Sequence, residues 1–492
     1  MGSILLLVAA FSEVAAISTS GGQTITVFAA DIDRDGDQDV VSAEYGANLV
    51  AWYENSGAAT PAWTKRIIDS QPLGPMTVAL GDLDRDGDID VLSANFNEEG
   101  VVWYENRLPN TGWTKRFVSG ITGAWGAHVA DVDGDGDLDG IGGNRVDGFD
   151  HRGVEWYENN GAVPPSFTIR AVSTGFVDAA SVHAADVDGD GDTDILADDV
   201  FRDSIYYYRN SGDHPPSWTQ VTISDAVDEP WSVFPADLDH DGDVDVLSAS
   251  GQDNTIAWHE NDGRNPPGWS RHVISNQVNL ATAVSAKDLD GDADLDVISG
   301  AWANDVSWFE NDGNVPPSFT RTVVSNNCSG VEGITAARLD PDADVDLLAA
   351  CNIIGTIHWY RNEVNFADAD ADGVRNEIDC SPGDATVFAI PGEVRGLKLP
   401  GKTTLAWASA VPIAGSGTVH DVLRGSLDQL PVASKLDETC LIEATTGTTL
   451  TVAATPNAGA GFSYLLRAEN ACGLGSYGFA TPGTERTSDA CP

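Results

Sequence analysis

The chain has 492 residues, with 76 acidic against 26 basic side chains and a formal net charge of −50. A surface of that sign repels phosphate backbones and anionic lipid headgroups, which excludes nucleic acid as a partner. Acidity also marks disordered chains, but 14 Trp, 15 Phe and 10 Tyr supply core material that such chains lack.

Ile4 to Phe11 is apolar but too short to span a bilayer, and no other stretch is long enough, so no membrane span is expected. The run resembles the hydrophobic part of a secretion signal without its positive leader, and residues 1–10 are expected to be a signal-peptide remnant.

The next unit opens with a short apolar strand, Thr24 to Ala30, and runs into Asp31-Ile-Asp-Arg-Asp-Gly-Asp-Gln-Asp39. Carboxylates stand at positions 1, 3, 5, 7 and 9, with Gly36 at position 6. Five carboxylates this close repel one another unless a cation lies among them. Alternating oxygen ligands around a glycine turn are what Ca²⁺ takes. The alternative is a solvated acidic turn. A valine-rich strand follows from Asp39 to Ala43, then a third strand carrying Trp52-Tyr-Glu-Asn55, then a fourth from Trp63 to Asp69.

The unit returns along the chain, with ladder starts 49 to 55 residues apart. Positions 1, 3, 5 and 9 are the expected side-chain ligands, with a main-chain carbonyl at 7. They are Asp31, Asp33, Asp35 and Asp39 in the first ladder, and Asp82, Asp84, Asp86 and Asp90 in the second. The third has Asp131, Asp133, Asp135 and Asp139; the fourth has Asp186, Asp188, Asp190 and Asp194. The fifth has Asp237, Asp239, Asp241 and Asp245, and the sixth Asp288, Asp290, Asp292 and Asp296. In the sixth, Ala293 replaces the turn glycine and is expected to strain it. A worn seventh copy, Arg338 to Asp346, has Arg338 for the first aspartate, whose guanidinium is expected to stand in for the ion.

Four short strands per unit at a fixed period describe the blades of a β-propeller. The third-strand signature recurs as Trp103-Tyr-Glu-Asn106, Trp156-Tyr-Glu-Asn159, Tyr207-Tyr-Arg-Asn210, Trp258-His-Glu-Asn261, Trp308-Phe-Glu-Asn311 and Trp359-Tyr-Arg-Asn362. One aromatic per blade in register reads as inter-blade core. The seventh unit lacks a fourth strand, but residues 11–18 resemble residues 319–325. The expectation is that residues 11–18 complete blade seven and remove the open edge.

These ladders and strands resemble FG-GAP/VCBS repeats, as in integrin α heads and secreted bacterial propellers. The resemblance implies an all-β, seven-bladed propeller over residues 11–364 with bound Ca²⁺. Residues 365–389 place Asp368, Asp370, Asp372, Asn376 and Asp379 at positions 1, 3, 5, 9 and 12 of a loop. This stretch resembles a thrombospondin type 3 repeat, implying a Ca²⁺-binding linker and about five to seven ions in all. Residues 390–492 alternate like sandwich strands and resemble a fibronectin type III module, a small C-terminal β-sandwich.

Six cysteines, all after residue 327, suggest disulfides and a secreted or cell-surface location. Cys328 precedes the innermost strand of blade seven and Cys351 ends its second strand, so the two are expected to bond. Cys380, Cys440, Cys472 and Cys491 allow three connectivities.

In a propeller the ladders share one face. The opposite face collects aromatics, of which Trp125, Trp231 and Trp302 are the candidate ligand residues; the alternative is that they pack between blades. His128 and His183 share a register on innermost strands, either as an acid/base pair or as polar channel wall. No nucleophile elbow, zinc-protease motif or phosphate loop occurs, and no catalytic residue is assigned. The expected function is a binding or adhesion module for a glycan or an extracellular protein. The rivals are a polysaccharide lyase or hydrolase on a propeller scaffold, and a structural cell-surface component.

Overall fold

The structure is a computed structural model. It describes residues 11–362 except 15, 19–21, 59, 98–99, 110–111, 121, 146–152, 174–176 and 343, together with strands between 398 and 485. The thrombospondin-like loop with Asp368, Asp370, Asp372, Asn376 and Asp379 lies outside the described residues, as do residues 1–10.

Residues 1–364 form one compact unit. It is a ring of seven four-stranded antiparallel sheets. In blade one the strands run Thr24–Ala30, Asp39–Glu44, Leu49–Glu54 and Thr64–Asp69, from the channel outward. Burial sets the residue types. The second strand of every blade is buried along its whole length, because adjacent blades cover both of its faces, and it is built of small and apolar residues between polar ends. The fourth strands lie at the rim and alternate with exposed residues, as in Gly112–Ser119 and Trp218–Ser224.

Aromatics join the blades as expected. The third-strand Trp103, Trp156, Trp258, Trp308 and Trp359 are buried. The fourth-strand aromatic of the next blade meets several of them edge-on: Phe167 on Trp103, Trp218 on Trp156, and Trp63 on Trp359, with centroids 6.1 to 6.4 Å apart.

The ring closes with the N-terminal strand. Phe11–Glu13 pairs antiparallel with Thr356–Asn362, Phe11 opposite Asn362. The backbone continues the pairing through Val14 N–H to the Trp359 carbonyl and Ile17 N–H to the Ile357 carbonyl. Phe11 packs edge-on to Trp308 of blade six. On the channel side blade seven approaches blade one so closely that a Cβ on Gly333 would stand 2.8 Å from the Ile25 carbonyl oxygen. Only glycine fits there.

Residues 365–492 form a second unit. Its strands make two main sheets. One is three-stranded, from Lys398–Gly401, Thr404–Ala406 and Thr449–Thr451. The other is four-stranded, in the order Thr439–Thr445, Val419–Ser426, Phe462–Asn470, Gly473–Leu474.

Candidate functional site

Each ladder is a loop tied by its own backbone. In ladder one the Asp31 carboxylate accepts the N–H groups of Asp35 and Gly36, both at 3.1 Å, and Asp35 accepts that of Asp37 at 3.1 Å. Gly36 takes φ +100°, a left-handed conformation that strains a side chain. In ladder six Ala293 adopts φ +74° at the same place, so the expected strain is present. Position 4 is left-handed too, and Arg34, Arg85 and His240 occupy it with positive φ. From there each reaches the next blade's ladder: Arg34 to Asp88 at 2.7 Å, Arg85 to Asp137 at 3.3 Å and His240 to Asp294 at 3.1 Å.

The ninth position serves the ring as well as the ladder. Asp39 accepts the Ile32 N–H at 3.1 Å on one oxygen and the Asn55 N–H at 2.7 Å on the other. The Asn55 amide donates to the Gln38 carbonyl of its own blade and to the Leu339 carbonyl of blade seven, each at 2.9 Å. Every blade repeats this latch onto the preceding one, through Asn106 to Ile32, Asn159 to Leu83, Asn210 to Val132, Asn261 to Val187, Asn311 to Leu238 and Asn362 to Leu289. Burial pushes the position-nine carboxyls up to about 7, and to about 8 for Asp296, against the N–H bonds that lower them.

The oxygens left over point inward. Asp31, Asp33 and Asp39 place one oxygen each within 4.8 Å of the others, and so do Asp82, Asp84 and Asp86, then Asp131, Asp133 and Asp135, Asp186, Asp188 and Asp194, and Asp237, Asp239 and Asp245. One oxygen each of Asp33, Asp82, Asp131, Asp186 and Asp237, and both of Asp188, are buried without a hydrogen-bond partner. Buried carboxylate oxygens without donors fit a hard divalent cation. Two ladders differ. In ladder seven the guanidinium against the aspartates is that of Arg361, 2.7 Å from Asp340 and 2.8 Å from Asp342. It comes from the third strand, and Arg338, which the sequence suggests for this role, also acts on the ladder through Asp344. In ladder four, which reads as complete, Arg209 makes the same contacts, 2.7 Å to Asp188 and 3.1 Å to Asp190.

On the opposite face the channel opens into a cavity of about 450 Å³ lined by Trp125, Trp231, Trp302, His128, His183 and Glu332 among others. Trp302 is 37% exposed. Trp125 and Trp231 are not bare platforms, because the Arg145 guanidinium lies between them, 4.7 and 4.9 Å from their ring centres. Asp178 anchors that guanidinium at 3.0 Å, and Phe96 packs edge-on to Trp125. Deeper in, His128 and His183 pack with ring centroids 4.9 Å apart and planes tilted by 50°. Burial pushes them down to about 4 and about 3, so both rings are neutral at pH 7. The Glu332 carboxyl, held by Asn352 at 2.7 Å, is pushed up to about 7 by burial. Cys328 and Cys351 are bonded on this face, with Cα atoms 5.0 Å apart.

Comparison with known proteins agrees with this geometry. A model described as "FG-GAP-like repeat" matches residues 31–93, 82–141, 198–248 and 237–299. The chain thus carries FG-GAP repeats on a seven-bladed propeller. No curated protein matches. Among solved structures, the BBS1 N-terminal domain in complex with ARL6 is similar at TM-score 0.50 and 11% identity, over 73% of this chain and 98% of that one. A lectin of Agrocybe aegerita that recognises non-reducing terminal N-acetylglucosamine is similar at TM-score 0.46 and 19% identity, over 64% and 84%.

Proposed function

We propose that this chain is an extracellular binding module whose ligand, a glycan, docks at the channel mouth, while Ca²⁺ in the ladders holds the ring that carries it. The observation that carries the reading is the mouth itself: a concave cavity of about 450 Å³ lined by Trp125, Trp231 and Trp302 together with histidine, glutamate, serine and threonine side chains. Such concavities are the usual form of small-ligand sites, and flat indole faces suit the apolar faces of sugar rings. The Cys328–Cys351 bond supports an oxidising compartment. Millimolar Ca²⁺ is found in that compartment, and extracellular sites bind it at roughly 10⁻⁴ to 10⁻³ M.

A glycan array in calcium tests the reading, with Trp302→Ala as the probing variant. Trp302 is the most exposed of the three indoles, and among the described residues no cation stacks on it, so its loss is expected to leave the fold intact. Losing one stacking face, worth about 1 kcal/mol, weakens binding roughly fivefold. Unchanged affinity in Trp302→Ala would remove the mouth as the site. An array without hits, beside capture of an extracellular protein at the same mouth, would replace the glycan with that protein.

A further inference from the structure

The ladders share a backbone but not a charge balance. In blades one, two, three and five the residue before the latch asparagine is Glu54, Glu105, Glu158 or Glu260. A fourth-strand nitrogen donor engages each: Arg66 at 2.6 Å, Arg116 at 2.7 Å, Arg170 at 2.6 Å and His272 at 2.7 Å. Those side chains sit directly opposite the third-strand tryptophans, Arg66 across from Trp52, Arg116 from Trp103, Arg170 from Trp156 and His272 from Trp258. The glutamate and its partner satisfy each other; in blade six Glu310 holds the same position, with Thr322 opposite Trp308.

Blades four and seven invert the arrangement as a unit. Arg209 and Arg361 stand at the glutamate position. The residue opposite Tyr207 is Val221, and Val14 bonds to the Trp359 backbone in the corresponding place. With no fourth-strand cation at that position to meet and no glutamate to offer, the third-strand side chain turns to the ladder. Arg209 contacts Asp188 and Asp190, and Arg361 contacts Asp340 and Asp342. These are ladder positions 3 and 5, two of the four side-chain ligands a cation needs. A divalent ion seated on the same oxygens would lie beside a fixed positive charge.

We propose that the residue preceding the latch asparagine selects each ladder's counter-charge. Glutamate leaves the ladder to a divalent cation, whereas arginine supplies a built-in guanidinium and excludes the ion. Ladders one, two, three, five and six are the ion sites; ladders four and seven are ion-free. This rests on the Ca²⁺ reading above and departs from the sequence expectation for Asp186, Asp188, Asp190 and Asp194. Its consequence is a ring in which two blades stay closed when calcium falls.

The test is a count of Ca²⁺ bound to the full chain after dialysis at fixed free Ca²⁺, with terbium luminescence as a second readout. Arg209→Glu with Val221→Arg rebuilds the arrangement of blade one and is expected to add one ion. Glu54→Arg with Arg66→Val builds that of blade four and is expected to remove one. Should either double variant fold poorly, single ligand changes decide: Asp84→Asn lowers the count by one and Asp188→Asn leaves it unchanged. A loss of one ion in Asp188→Asn, or wild-type counts in both folded double variants, overturns the proposal. A wild-type chain that binds no Ca²⁺ overturns the ladder reading itself, and the selection with it.

Discussion

The two faces of the propeller follow opposite rules. On the ladder face the same contacts recur around the ring: position-nine aspartate to asparagine N–H, asparagine amide to the neighbouring blade's carbonyl. On the mouth face the backbone bonds recur, as from the Phe96 N–H to the Gly74 carbonyl and from the Trp302 N–H to the Leu280 carbonyl, but the side chains do not. The last residues of the seven second strands are Glu44, Asn95, Asn144, Asp199, Ser250, Ala301 and Cys351, each with its own partners. A repeated contact stabilises a ring; a site for one ligand needs asymmetry. Stability therefore resides on the ladder face and specificity on the mouth face, and perturbations of the two faces are expected to separate accordingly.

The largest effect is expected from chelation. At free Ca²⁺ about twentyfold above Kd, each site adds roughly 1.8 kcal/mol to the folded state. Several such sites together rival the whole stability of an ordinary domain, about 5 to 15 kcal/mol. Removing the ions also leaves clustered aspartates to repel. The melting temperature should fall steeply in chelator and return with Ca²⁺ better than with Mg²⁺, whose octahedral demand suits these loops poorly. A melting curve that ignores chelator would reduce the ladders to acidic turns.

Deleting residues 11–18 comes next. Blade seven would lose its outer strand, the Phe11–Trp308 contact and the buried Ile17, and Thr356–Asn362 would become an open edge. The expected loss is about 3 to 5 kcal/mol in urea unfolding. An unchanged midpoint would mean that three strands suffice.

A single latch tests the repeated face directly. Asn159→Ala removes the donor to the Leu83 and Leu138 carbonyls, both at 2.9 Å. Leaving buried acceptors unpaired costs about 1 to 3 kcal/mol. Trp302→Ala on the other face should move the midpoint by a few tenths at most. Equal losses in the two variants would collapse the division between faces.

Most of the repeated face was legible in the sequence, because a pattern that returns every 49 to 55 residues identifies its own strands, ladders and closure. The latch was half visible: the asparagine recurs in every third strand, but its partner is a backbone carbonyl some 73 to 78 residues back, or 284 ahead at the closure, which carries no side-chain signal. The inversion in blades four and seven had a signal, the arginine of Tyr207-Tyr-Arg-Asn210 and Trp359-Tyr-Arg-Asn362 against glutamate before the asparagine in every other blade. Its meaning depended on Val221 and Val14, which lie across the strand. The mouth was legible only in outline. Trp125 and Trp231 follow from their place on innermost strands, but Arg145 between them comes from a second strand's end and has no counterpart in other blades to announce it.

The smallest expected effect concerns the channel between the faces. His128 and His183 are held neutral by burial, with pKa pushed down to about 4 and about 3, and Phe234 packs edge-on to His183. An unfolded histidine titrates near 6.5. Between that value and about 4 the unfolded chain binds more protons than the folded one, so this contribution to stability is complete above pH 6.5 and is lost as pH falls toward 4. The raised ladder carboxyls act in the opposite direction, so the wild-type profile mixes the two. Subtracting the profile of His128→Gln with His183→Gln isolates the rings. The variant should gain on the wild type as pH falls from 6.5 to 4, by roughly 1 kcal/mol after discounting for water in the channel. A difference that stays flat would show that both rings are hydrated, and that the channel is wet down to the level of the ladders.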